Sequence, residues 1–310
     1  MRIVFMGTPQ FAIPSLNKLI QSRHQVVGVV TVPDKPQGRG LKLLESPVKR
    51  FAGEHDLKIL TPENLKDEDF IRSLIELSPD LIVVVAFRIL PEEVFSLPPL
   101  GTINLHASLL PKYRGAAPIN WAIINGETKT GLTTFYIRKT VDTGDIILQK
   151  EIDIFPEENF GELHDRMANL GADMIQETLD MVERGEVKPL KQDDSQASRA
   201  PKLTPEHCRI DWSREAVQIK NMIRGLSPSP GAFSFFKGKS LKIFKAETIG
   251  DQQFTNGFGE VVESDSKKNV WVRTGKGFLS LLEVQPETKR KMSGEEFIRG
   301  YRVKPGEKFE

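Results

Sequence analysis

Through the first half of the chain, short β-branched apolar runs alternate with amphipathic stretches whose apolar residues recur every three to four positions. The spacing predicts strands over residues 2–6, 25–32, 81–86, 102–105, 130–137 and 147–154. Such alternation is the pattern of a Rossmann-like α/β domain with a mostly parallel sheet. Between the first two strands, Thr8 is placed to cap a helix and Pro9 to occupy its first position, with the helix running towards Gln21. Residues 160–184 read as a long amphipathic helix, with Leu163, Met167, Leu170, Met174 and Ile175 on one face. The periodicity then fails. Pro189, Pro201 and the polar tract from Gln192 to Gln196 predict a linker over 185–204. Beyond it, a helix around 216–225 precedes short strands at 233–236, 241–246, 259–263, 269–274 and 277–284, with Gly238, Gly257 and Gly275 at bends. That pattern predicts a small antiparallel β-barrel, OB-like in type. The expected organisation is a first domain over 1–184 and a second over 205–310.

Length agrees, because 310 residues exceed what a single core usually supports. With 39% hydrophobic and 27% charged residues and no long apolar run, the composition excludes membrane spanning. The first residues pass directly into a strand without the features of a secretion signal, so a cytoplasmic location is expected. The single cysteine, Cys208, permits no internal disulfide and reads as a packing residue. No His/Cys cluster has zinc-ligand spacing, and no metal is expected. Nothing requires an oligomer, and a monomer is expected. The formal charge of +1 conceals an asymmetry: from Pro205 onward there are 19 Lys and Arg against 14 Asp and Glu, and before it 24 against 28. Lys237, Lys239, Lys242, Lys267 and Lys268 therefore either track a phosphate backbone or form a solvated edge that discourages strand pairing.

The candidate chemistry sits near the middle of the chain. Asn104 and His106 are two apart on a predicted strand and project to one face, at the carboxyl end where such sheets bind ligands. Asp142, in a glycine-containing loop, can fold over them. Each of the three alone is more often a turn-former or a satisfied polar group. Together, an amide, an imidazole and a carboxylate suit acyl chemistry, since two N–H groups can hold the charge that grows on a carbonyl oxygen under attack. The turn at Gly7-Thr8-Pro9 lacks Gly-x-Gly-x-x-Gly, and Pro9 removes a donor, so a dinucleotide is not expected. The loop from Pro33 to Gly40 lacks a Gly-Lys-Ser/Thr ending and is no P-loop. Its Lys35 and Arg39, with Lys42, form a basic finger suited to a polyanion, or else a solvated loop.

Several longer motifs carry a resemblance. Met6-Gly7-Thr8-Pro9, Pro33-Asp34-Lys35-Pro36, Ser46-Pro47-Val48-Lys49, the run Asn104 to Pro111, Tyr113 to Pro118, Asn125-Gly126-Glu127 and Asp142 to Ile146 are similar to those of the methionyl-tRNA formyltransferase family. Arg209-Ile210-Asp211-Trp212 and the stretch from Asn221 to Phe233 resemble its C-terminal segment. The resemblance implies a formyltransferase domain joined to a tRNA-binding barrel. It also implies formyl transfer from 10-formyltetrahydrofolate, as cosubstrate, to the amine of methionyl initiator tRNA. Asn104, His106 and Asp142 match the family's catalytic residues, and Ser108, Leu109, Leu110 and Pro111 its folate-contacting loop. Ala86, Phe87 and Ile89 fall in the turn that lines the pterin pocket, while Lys35, Arg39 and Lys42 fall in the loop that meets the tRNA acceptor end. One departure stands out. The turn Ala86-Phe87-Arg88-Ile89-Leu90-Pro91 is a residue shorter than the family's and lacks its glycine, leaving Arg88 either pointing outward or reaching the acidic tail of folate. Relatives acting on phosphoribosyl-glycinamide or nucleotide-linked amino sugars, a hydrolase that releases formate, and an inactive tRNA-binding protein are the alternatives. The basic loop and barrel favour tRNA, since a small substrate needs neither.

Overall fold

The computed structural model of the chain describes residues 1–37, 42–265 and 269–310, so Arg39, Lys267 and Lys268 lie outside the described residues. Two compact units emerge: Met1–Ala116 with Thr130–Ile152 and His164–Ala200, and Ala117–Lys129 with Asp153–Leu163 and Pro201–Glu310.

The first unit is built on a seven-stranded sheet. Its strands are β1 (Arg2–Gly7), β2 (Gln25–Val30), β3 (Ile59–Leu60), β4 (Leu81–Val85), β5 (Thr102–His106), β6 (Lys129–Tyr136) and β7 (Ile146–Asp153). They lie in the order β7-β6-β5-β4-β1-β2-β3. From β3 to β5 every pairing is parallel, and β6 turns antiparallel against β5. All five residues of β4 are buried, as a central strand covered on both faces requires. On one face Val4, Met6, Val30, Ile82 and Val84 pack with Phe70 and Leu74 from the helix Glu68–Glu76. The long helix Phe160–Glu183 is tied to β6 by a 2.8 Å hydroxyl bond between Thr178 and Thr134. Among the described residues no helix is long and apolar enough to cross a membrane.

The start of the first helix differs from the sequence expectation. Among the described residues Thr8 caps nothing and its buried hydroxyl has no partner; a 3-10 turn, Gln10–Ala12, precedes the α-helix Ile13–Ile20. The second proline of the segment, Pro14, takes the early helical position that Pro9 was expected to hold.

Residues 185–200, polar and aperiodic, are stitched to the first unit. Leu190 bridges Ile146, Arg199–Ala200 runs parallel to Arg114–Gly115, and Gln192 is only 6% exposed. The second unit is an antiparallel sheet in the order Ala232–Phe236, Lys239–Gln253, Lys276–Pro286, Asn269–Arg273, Val261–Asp265. The C-terminal tail bridges both edge strands, Phe309 pairing with Phe236 and Lys308 with Glu260, which rounds the sheet towards a barrel. The strand expected at 241–246 extends to Gln253, because register shifts after Ile243, Lys245 and Ile249 let it bend while it stays paired. Cys208 lies in the apolar core of this unit, and burial pushes its thiol above the ordinary cysteine range. Helix Pro118–Ile124 belongs here as well, Asn120 donating to the carbonyl of Gly225 at 2.8 Å.

Candidate active site

His106 ends β5 and is 6% exposed. Its Nε2 lies 2.9 Å from the carbonyl oxygen of Tyr113. A carbonyl can only accept, so Nε2 carries the hydrogen. Nδ1 is therefore the nitrogen left for chemistry, and it faces Asp142 Oδ2 at 3.8 Å. The sequence left open which nitrogen would act.

Asp142 sits on a turn with left-handed backbone, φ 55°. Its Oδ2 accepts the N–H of Gly115 at 2.9 Å, which aims the carboxylate towards His106. Gly115 has φ 129°, and a Cβ there would stand 2.5 Å from the carbonyl oxygen of Ala200. Only glycine lets the chain pass. Gly144 is constrained likewise, since a Cβ would collide with the Tyr136 carbonyl.

Asn104 lies on β5 between Val84 and Phe135 of the neighbouring strands, half-buried and on the same face as His106. Its amide makes no hydrogen bond among the described residues. A half-buried amide without a protein partner is available to a ligand.

The loop Ser108 to Pro111 is a braced wall. Ser108 is fully buried and donates to the Lys112 carbonyl at 2.6 Å. The hydroxyl of Thr133 donates to the Ser108 carbonyl at 2.7 Å and accepts from the Leu110 N–H at 3.2 Å and from Gln149 Nε2 at 3.0 Å. Gln149 also reaches the Leu110 carbonyl at 2.8 Å. With one donation and two acceptances the Thr133 hydroxyl is saturated. Leu109 is half-buried, and the Leu110–Pro111 peptide is cis. Sequence reasoning missed Thr133 and Gln149; the one signal for Thr133 was that it forms, with Thr134, an adjacent threonine pair buried in the middle of its strand.

After β4, Ala86 turns with φ 49° and is exposed, Phe87 is half-buried, and Ile89 is 74% exposed. The shortened turn thus takes left-handed backbone at Ala86. Arg88 folds back instead of pointing outward, donating to the carbonyls of Pro62 and Glu63 at 2.8 and 2.9 Å, its guanidinium 5.2 Å over the Phe87 ring. Burial lowers its pKa from the ordinary arginine value.

The basic loop is described in part. Lys35–Gln37 pairs antiparallel with Lys42–Leu44, and Leu43 and Leu44 are 68% and 52% exposed. Its root is pinned: Ser46 caps the helix Pro47–Glu54 and bonds Thr31, and Lys49 meets Asp34 at 2.6 Å and Glu45 at 3.3 Å. The bond to Asp34 is the main cause that raises the Lys49 pKa above its ordinary value. Arg39, expected at the tip, lies outside the described residues.

A further group that sequence reasoning missed holds the Asp142 turn from behind. Gln192 Nε2 donates to the carbonyls of Asp142 and Gly144 at 2.9 and 2.8 Å, and its Oε1 accepts from Arg114 Nε and Nη2 at 3.1 and 2.7 Å. Among the described residues one trio of potential metal ligands occurs, His24, Asp180 and Glu183. Arg23 already pairs with both carboxylates, at 2.8 and 2.6 Å, so the trio is neutralised by protein.

Known proteins fit this picture. The family model described as Formyl transferase matches residues 1–179, and that described as Formyl transferase, C-terminal domain, matches 202–302. A methionyl-tRNA formyltransferase of Caldanaerobacter subterraneus subsp. tengcongensis is 49% identical over 309 residues, covering 99% of each chain. One from Geobacter sulfurreducens is 46% identical, covering 99% of this chain and 96% of that one. Among solved structures, the methionyl-tRNA formyltransferase from Clostridium thermocellum shares the fold at a TM-score of 0.55 and 22% identity, over 80% of this chain and 93% of that one. HypX from Aquifex aeolicus, solved with tetrahydrofolic acid, shares it at a TM-score of 0.67 and 19% identity, over 99% of this chain and 48% of that one. With both halves matched in order and relatives alike along the whole length, the chain belongs to the methionyl-tRNA formyltransferase family.

Proposed function

We infer that the protein transfers the formyl group of 10-formyltetrahydrofolate to the α-amino group of methionine esterified to initiator tRNA, the step that prepares this tRNA for translation initiation. The reading is carried by His106 Nδ1, which faces Asp142 Oδ2 at 3.8 Å, and by the Asn104 amide on the strand of His106, which has no hydrogen-bond partner among the described residues.

The ester lowers the basicity of the amine, so an uncharged nucleophile is available near neutral pH, and the enzyme has mainly to position it and hold the charge that develops. Attack forms a C–N bond to the formyl carbon and pushes an electron pair onto the formyl oxygen. The Asn104 amide and Nδ1–H of protonated His106 donate to that oxygen. Asp142 steadies the imidazolium and, directly or through a water, takes the proton that the attacking nitrogen must lose. Return of the electron pair breaks the bond to the folate nitrogen, which leaves with a proton.

In this reading Ser108 to Pro111, with Ala86, Phe87 and Ile89, line the folate pocket. The braced backbone of the first group and the exposure of Ala86 and Ile89 support it. Lys35, Arg39 and Lys42 take the acceptor end of the tRNA, residues 1–184 do the chemistry, and residues 205–310 follow the tRNA backbone, while of the expected linker at 185–204 the part 185–200 stays paired to the first unit. The excess of Lys and Arg after Pro205 supports that division. In this reading the enzyme works as a cytoplasmic monomer, without a metal and away from membranes. Mixing it with 10-formyltetrahydrofolate and methionyl initiator tRNA is expected to yield formylmethionyl-tRNA, detected by mass spectrometry of the released amino acid. Absence of that product overturns the reading.

A further inference from the structure

We propose that Gln192 is a positioning residue for formyl transfer, acting through Asp142; the proposal rests on the function given above. Four observations carry it. First, Gln192 is 6% exposed although it begins a wholly polar tract, Gln192 to Gln196. Burying a primary amide is costly unless its hydrogen bonds are made. Second, both of its ends are engaged. Nε2 donates to the carbonyls of Asp142 and Gly144, which flank the turn, and Oε1 receives the Arg114 fork.

Third, the turn needs an external hold. Asp142 is a non-glycine residue at φ 55°, a conformation that costs free energy for L residues other than glycine and persists where the surroundings enforce it. Gln192 supplies that enforcement from 50 residues away in sequence. Fourth, the same network reaches the other contact that aims the carboxylate. Arg114 adjoins Gly115, whose N–H is held by Asp142 Oδ2, and Arg114 is fixed in turn by Gln192 and by Asp194 at 2.7 Å. One buried amide therefore ties the backbone of the Asp142 turn to the segment whose N–H orients its side chain. Without it the carboxylate keeps the Gly115 N–H but loses the brace on the backbone that carries it towards His106 Nδ1.

The two ends of the amide can be tested apart. Gln192→Glu keeps an acceptor for Arg114 but removes both N–H donors, whereas Gln192→Met removes both functions at similar size. Both variants are expected to lower kcat about a hundredfold, as a misplacement of about 1 Å does. KM for either substrate should change by less than about threefold, because neither contact touches a substrate. In an Asp142→Ala background the same substitutions are expected to cost nothing further, since the group they position is gone. Wild-type kcat in Gln192→Glu, a loss carried by KM, or losses that multiply with Asp142→Ala would each overturn the proposal.

Hydrogen exchange supplies a readout independent of activity and of the assigned reaction. The amide of Gly115, protected by Asp142 Oδ2 in the wild type, is expected to exchange faster in Gln192→Glu and Gln192→Met. Unchanged protection overturns the proposal, even in a protein with a different activity. If Gln192→Met does not fold, Gln192→Glu alone decides the matter by the same measurements. A wild-type protein that forms no formylmethionyl-tRNA sinks the functional reading and leaves the brace to be judged by exchange.

Discussion

Around His106 the interior is polar and paired, while the core of the C-terminal unit is dominated by apolar side chains. In the first region Ser108, Thr133, Gln149 and Gln192 place backbone carbonyls and N–H groups by hydrogen bonds of fixed direction. In the second, Trp212, Phe236, Phe297 and Phe309 pack ring to ring, with centroids 4.8 to 5.6 Å apart. Hydrogen bonds specify angle and identity, and apolar packing specifies volume. The first region should therefore lose function before stability, and the second stability before function.

The largest expected effect tests the polar side. His106→Ala should lower turnover about 10³- to 10⁴-fold, the upper range for a positioned acid or base, while the protein still folds and tRNA is still bound. A rate within tenfold of wild type, as an order-of-magnitude threshold, would remove the imidazole from the mechanism. The next tests the apolar side. Phe297, 1% exposed, packs on Phe236 and Tyr301, and Phe297→Ala should cost about 3–5 kcal/mol in denaturant unfolding with kcat per folded molecule unchanged. Equal loss of kcat would erase the contrast. The smallest sharpens the boundary. Thr133→Val keeps the shape but strands the Leu110 N–H and the Ser108 carbonyl, so stability should fall by about 1–3 kcal/mol. Turnover should fall by roughly tenfold as the loop loses its register. A variant as stable and active as wild type would mean that the wall stands without its brace.

Much of the sheet was legible because burial has a period. Strands β1, β2 and β4 to β7 fall where alternation and β-branched runs put them, and the long helix falls where its apolar face recurs. Asn104 and His106 share a face for the same elementary reason. What periodicity does not carry is a hydrogen bond between distant residues. Gln192 looked like part of a solvated tract, because its partners lie 48 and 50 residues away and are backbone carbonyls with no sequence signature. Arg88 escaped likewise, its guanidinium spent on the carbonyls of Pro62 and Glu63. Thr8 misled in the opposite direction: it is a good capping type at a good position, but the chain winds a 3-10 turn first. The helix Pro118–Ile124 reads as part of the first half from its place in sequence, yet it packs with Gly225 and its neighbours.

The hydrogen bond from His106 to the Tyr113 carbonyl has a kinetic meaning. An imidazole usually relays protons by accepting on one nitrogen and releasing from the other, but here one nitrogen is moored to an oxygen that has nothing to hand onward. His106 is a cul-de-sac for protons: whatever arrives at Nδ1 departs from Nδ1, and any longer-range traffic must be routed through Asp142 or solvent.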